Sequence, residues 1–142
     1  FVLIIIALAF SASSPPKVGI NGSNQLKPCT NKQSCINTEY PKDAKNYVNP
    51  LLFPLDKANN ILKNSKDIIL GMNGKIETEK ANYIHAVFTS NVFRFKDDFE
   101  VRIDDKSKQI HIRSNSRIGR YDFDVNRDRV NLFSSKLKEK ML

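Results

Sequence analysis

All seven arginines lie at or after position 94, and five of them fall between Arg113 and Arg129, while sixteen lysines are spread along the whole chain. The same short segment holds Asp122, Asp124 and Asp128. A planar guanidinium pairs with a carboxylate or a phosphate through two parallel hydrogen bonds, which an ammonium cannot do. Two readings follow. In one, internal arginine–aspartate pairs staple a strand-to-helix connection onto a sheet. In the other, Arg113, Ser114, Ser116, Arg117 and Arg127 line a pocket for an anionic headgroup or carboxylate, helped by backbone amides at a helix start near Asn126.

Three further groups carry polar chemistry. His85, flanked by Tyr83 and Val87, suits a buried or face histidine better than a general base. Asp97 and Asp98 open a strand, where pairing with arginine is favoured over acid/base work or cation binding. Ser114 and Ser116 lie in no Gly-x-Ser-x-Gly elbow and share the apolar face of their strand, so packing explains them better than nucleophilic attack. Cys29 and Cys35 are the only cysteines. A disulfide between them is the expectation, contributing about 2 kcal/mol for so short a loop, and an oxidised pair offers no thiolate. His85 and His111 stand at no recognised zinc spacing from them. Neither a metal nor a cofactor is expected.

These groups sit in a chain of 142 residues with net charge +8, 40% apolar and 27% charged residues, which suits one modest domain and excludes a polytopic membrane protein or wholesale disorder. Residues 1–14 begin with ten apolar residues and continue into Ser11–Ser14 and Pro15-Pro16. They read as the h-region of a secretory signal whose start is missing, with Ala7-Leu8-Ala9 or Ser11-Ala12-Ser13 as the cleavage triplet. Ten residues reach only about 15 Å as a helix against about 30 Å of bilayer core, so the alternative is an uncleaved anchor with further residues upstream. The expected location is exported: periplasmic or cell-envelope. Lipoprotein processing is disfavoured by the Leu-Lys-Pro that precedes Cys29.

Residues 15–50 are rich in proline and show no sustained periodicity, which predicts an irregular arm pinned by the cystine. From Pro54, Leu55, Ala58, Ile61, Leu62, Ser65, Ile68 and Ile69 recur at helical spacing, with Gly71 just beyond the end. Asn73-Gly74 then marks a turn into two strands. Phe99, Val101 and Ile103 alternate with Glu100, Arg102 and Asp104, and past a polar turn Ile110 and Ile112 alternate with His111 and Arg113. That is a two-faced hairpin in which Ile103 opposes Ile110 and Glu100 opposes Arg113. Val130, Phe133, Leu137 and Met141 mark a closing helix. The expected domain, residues 51–142, is α+β: a two-layer sandwich of a four-stranded antiparallel sheet with two helices on one face, in the order α-β-β-β-β-α.

Tyr83-Ile84-His85-Ala86, Phe95-Lys96-Asp97-Asp98-Phe99-Glu100, Ile112-Arg113-Ser114-Asn115-Ser116-Arg117-Ile118-Gly119 and Asp122-Phe123-Asp124-Val125-Asn126-Arg127-Asp128-Arg129 resemble successive signatures of the domain-of-unknown-function 1499 family. The cysteine pair resembles its N-terminal Cys-(five residues)-Cys element. The resemblance spans roughly residues 26–135; Arg120 and Asp124 depart from it, standing where a smaller polar residue and a glycine are expected. It implies an exported, lipid-anchored or membrane-tethered bacterial protein, or a plastid relative, with no established activity.

Two functions compete. The first is a non-enzymatic envelope module that binds an anionic ligand, a lipid headgroup or a partner protein through its arginine-rich face, in keeping with the positive charge. The second is a small hydrolase or isomerase using His85 with Asp97 or Asp98 and an arginine-stabilised anion, which requires those groups to converge. Nucleic acid is not an expected partner, because the aromatics fit buried positions better than a stacking platform.

Overall fold

The structure, a computed structural model, describes residues 2, 3, 5, 6, 16–30 and 32–142. Its elements are β1 (Cys35–Asn37), β2 (Leu51–Leu52), a 3-10 helix (Leu55–Asn60), α1 (Ile61–Gly71), β3 (Lys75–Lys80), β4 (Tyr83–Thr89), β5 (Lys96–Asp104), β6 (Gln109–Ser116) and α2 (Val125–Met141). The class is α+β as expected. The sheet, however, has six antiparallel strands instead of four, in the spatial order β1-β6-β5-β4-β3 with β2 also on β6. The chain order is accordingly β-β-α-β-β-β-β-α. The two extra strands sit end to end on the outer edge of β6, β1 against Arg113–Asn115 and β2 against Gln109–Ile110. With two or three residues each, they are too short to show a period, and they shield an edge that would otherwise be open.

The hairpin of β5 and β6 has the expected register, with Ile103 opposite Ile110, Val101 opposite Ile112, Arg102 opposite His111 and Glu100 opposite Arg113. Its turn is held by Asp104 Oδ1, which accepts from the amides of Lys106 at 3.0 Å and Ser107 at 3.2 Å. The single helix expected from Pro54 starts as a 3-10 turn and becomes α-helical only at Ile61. Asn59 and Asn60 stand at that junction, and their side chains compete with helical backbone bonding. Gly71 is the last helical residue, not the residue beyond the end. The stop is made by Asn73 in the left-handed region at φ 68°, with Asn73 N bonded to Leu70 O and Gly74 N to Ile69 O, the Schellman arrangement. Gly74 is required for space: a Cβ there would lie 2.6 Å from Ile69 Cγ2 and 2.7 Å from Phe88 Cζ.

One face of the sheet buries Ile84, Ala86, Phe88, Phe99, Val101, Ile110 and Ile112 against Ile61 and Ile69 of α1 and Val130, Phe133 and Leu137 of α2. Phe99 is its centre, edge-on to Phe133 at 5.1 Å and to Phe88 at 5.6 Å. The opposite face carries Tyr83, His85, Asp98, Glu100, Arg102, His111 and Arg113, and every one of these is buried as well. The cover comes from residues 17–40, whose backbone and side chains bond directly to those charges. The expected two layers are therefore joined by a third, irregular one, because alternation in a strand reports polarity and not exposure. Cys29 and Cys35 form a disulfide within this layer.

Most of residues 1–14, including both cleavage triplets, lies outside the described residues. Among the described residues no helix is long and apolar enough to cross a membrane.

Candidate functional site

Because β4, β5 and β6 lie side by side, their charged faces bring acids and bases from three strands into ranks. In the first rank His85 Nε2 donates to Asp98 Oδ1 at 2.8 Å, since an ionised carboxylate only accepts, and Arg117 grips the same carboxylate with Nε–Oδ2 at 3.0 Å and a second nitrogen on Oδ1 at 2.9 Å. In the second, Glu100 Oε1 accepts from Tyr83 OH and from Gly19 N, both at 2.7 Å, and Glu100 Oε2 from Arg113 at 3.0 Å. In the third, Arg102 forks onto Glu39 at 2.5 and 3.1 Å, Leu26 N also donates to Glu39, and Thr38 Oγ1 lies 3.1 Å from His111 Nδ1.

Burial would raise the Asp98 pKa, but the hydrogen bonds from His85 and Arg117 outweigh it and hold the carboxyl below its usual range; Asp98 in turn raises the Arg117 pKa. Burial pushes the Tyr83 hydroxyl up, and the charge of Glu100 adds to this. Burial also lowers the His111 pKa. For Asp98 the sign is that of a depressed carboxylate: its stabilisation is complete above the ordinary value of 3.8 and is lost as pH falls through the lower folded value. Thermal unfolding followed from about pH 5 to about pH 2 should therefore show a steeper loss of Tm in the parent than in Asp98→Asn. Parallel curves would mean that Asp98 is not held ionised.

The candidate residues of the expected anion pocket and of the expected acid/base group do not assemble into one site. Arg113, Arg117, His85 and Asp98 lie on the face covered by the arm, whereas Asp97, Ser114, Ser116 and Asn126 lie on the helix side. There Asn126 joins Ser114 Oγ at 2.5 Å to Ser116 Oγ at 2.9 Å, and Arg129 bonds both Asn126 Oδ1 and Asp97 at 3.0 Å. Arg127 reaches the backbone oxygen of Lys45 at 3.0 Å. Arg113, Arg117 and Arg129 thus staple the sheet, but onto Glu100, Asp98 and Asp97, not onto Asp122, Asp124 or Asp128. Asp122 is used to start α2, accepting from Asn126 N at 2.9 Å and Asn126 Nδ2 at 2.7 Å. His85, Asp98 and Arg117 do converge, yet both oxygens of Asp98 are occupied by the other two.

Two clefts involve residues that sequence reasoning passed over. One, of about 380 Å³, is lined by Lys32, Gln33, Lys45, Asn46, Arg120 and Tyr121. Its wall is built by Asn46 Nδ2, which bonds the carbonyls of Lys32 and Cys35 at 2.6 Å, and by Ser34 N on Arg120 O at 3.1 Å. Lys32 Nζ donates to Ser116 O at 2.5 Å. Burial and the nearby cations Arg113 and Lys17 push the Lys32 pKa down. The other cleft, of about 490 Å³, includes Thr38, Glu39, Tyr47, Arg102 and His111. Among the described residues no three His, Cys, Asp or Glu side chains are grouped to hold a metal ion.

The model of a family of proteins of unknown function, DUF1499, matches residues 25–137. The chain belongs to that family. No curated protein is significantly similar to it. The DUF1499 match takes in the cystine, the sheet and most of α2. Lys17 and Gly19, which bond Arg113 and Glu100, lie outside it.

Proposed function

We propose that this DUF1499 chain is a non-enzymatic, exported module of the cell envelope that binds a phosphate- or carboxylate-bearing ligand between the disulfide loop and the β6–α2 connection. The observation that carries this reading is Lys32, a half-buried ammonium set beside Arg113 and Lys17 in a cleft also lined by Lys45 and Arg120. An anion entering there favours the charged Lys32 against the burial, and after it the repulsion by Arg113 and Lys17, that lower its pKa, and the Asn46 and Gln33 side chains add polar lining. A non-catalytic role is supported by His85, Asp98 and Arg117, which spend their hydrogen bonds on one another. Export is supported by the apolar run of residues 1–10 and by a cystine, which persists in oxidising compartments.

The test is thermal unfolding of the full chain with phosphate, pyrophosphate or citrate. An anion at a hundred times its dissociation constant should add about 2.7 kcal/mol and raise Tm by several degrees. Lys32→Gln should abolish the rise. The reading is overturned if none of the three anions stabilises the parent, or if Lys32→Gln responds as the parent does.

A further inference from the structure

The strand register places three connections at one end of the sheet. Thr89 pairs with Lys96, Asp97 with Ser116 and Cys35 with Asn115, so residues 90–95, residues 117–124 and the disulfide loop all leave the sheet at that end. Arg117 N on Lys96 O at 3.0 Å ties the first two together. The arm crosses the middle of the same strands, where Lys17 O accepts from Arg113 and Glu100 accepts from Gly19 N.

This end also carries large apolar side chains in water. Tyr121 is 61% exposed, Phe123 82% and Val92 79%, with Phe93 partly exposed beside them in sequence. Tyr121 and Phe123 pack edge to face at 5.0 Å, and Phe93 stacks on Phe95 at 5.7 Å, so the rings form two knobs. Phe123 and Asp124 both have left-handed backbone, φ 53° and 64°, which costs an L-residue and holds Phe123 away from the core. The two connections carry Arg94 and Arg120 beside Asp122 and Asp124, with Arg117 spent on Asp98, and Lys32 and Lys45 line the adjoining cleft. Aromatic side chains at the headgroup level with cations around them are what a bilayer interface selects.

We infer that this end of the sandwich rests on a lipid bilayer, with Tyr121, Phe123, Val92 and Phe93 in the headgroup–acyl boundary. The inference goes beyond the anion cleft and shares with it the envelope location and the cations Lys32 and Lys45.

The sequence contains no tryptophan, so a single indole reports its own depth. Full-length chains carrying Phe123→Trp, or Leu52→Trp at the opposite end of β6, are reconstituted with phosphatidylglycerol–phosphatidylcholine vesicles containing lipids brominated near the headgroup. Both chains share the same N-terminal sequence, so only the place of the indole separates them. Emission of the Phe123→Trp chain should be blue-shifted and quenched several-fold more than that of the Leu52→Trp chain. Equal quenching, or stronger quenching of Leu52→Trp, overturns the inference. So does a blue shift of Phe123→Trp that grows with protein concentration without vesicles, because the aromatics would then bind a second copy. Stabilisation by free phosphate with equal quenching keeps the cleft and removes the docking face; the reverse pattern removes only the cleft.

Discussion

Glu100→Ala is expected to lower the unfolding free energy by about 3–5 kcal/mol, the cost of leaving a buried charge without its partner. Glu100 is fully buried and accepts from Gly19 N, Tyr83 OH and Arg113. Without it the Arg113 guanidinium keeps a carbonyl of Lys17 at 3.4 Å, and its Nε has no partner even in the parent. For a chain of this size the loss corresponds to a fall in Tm of roughly 10–20 °C. The comparison that isolates the cause is the double substitution Glu100→Met with Arg113→Met. Two apolar side chains in place of the pair should lose much less than the sum of the single changes. Denaturant unfolding of all three variants checks this. A loss below about 1 kcal/mol for Glu100→Ala, typical of an exposed pair, would show that the arm does not seal this face in solution.

Phe133→Ala should cost a similar 3–5 kcal/mol by a different route, since it empties space in a packed core. Phe133 is fully buried, and its ring meets Phe99, which itself meets Phe88 of β4. The two variants are separable by hydrogen exchange. Glu100→Ala should release the amides of Gly19 and Leu26 before the sheet opens, whereas Phe133→Ala should shorten protection along α2 and leave the arm amides tied to the sheet. Loss of protection in the same segments for both would mean that the two faces unfold as one unit.

What could be read from the sequence follows from length and period. The pairing of Glu100 with Arg113 and of Ile103 with Ile110 was readable because eight alternating positions fix a register, and a slip by one would turn every side chain to the wrong face. The family resemblance was likewise carried by long ordered strings. β1 and β2 were not readable, since two or three residues hold no period. The cover over the charged face was hidden for a different reason. Glu, Arg and His in alternation look the same whether they meet water or one another, and only Gly19, Leu26 and Glu39, distant in sequence, decide which. Pairing with arginine was readable for Asp97, Asp98 and Glu100, which meet Arg129, Arg117 and Arg113, whereas Asp122, Asp124 and Asp128, near along the chain, are not the partners of those three. The Lys32 cleft had no sequence signal, because its walls come from opposite ends of the domain.

The arm has a consequence for the order in which the molecule assembles. Gly19 reaches Glu100 across 81 residues and Lys17 reaches Arg113 across 96, whereas the hairpin of β5 and β6 closes over a four-residue turn. Loop closure disfavours early contact between distant positions, so hairpins and helices form first and the arm docks last. Until it does, the carboxylates and guanidinium groups of the sheet are hydrated and pair only across neighbouring strands. The final event of folding is thus the drying of a charged surface, performed by a segment synthesised before the sheet it covers.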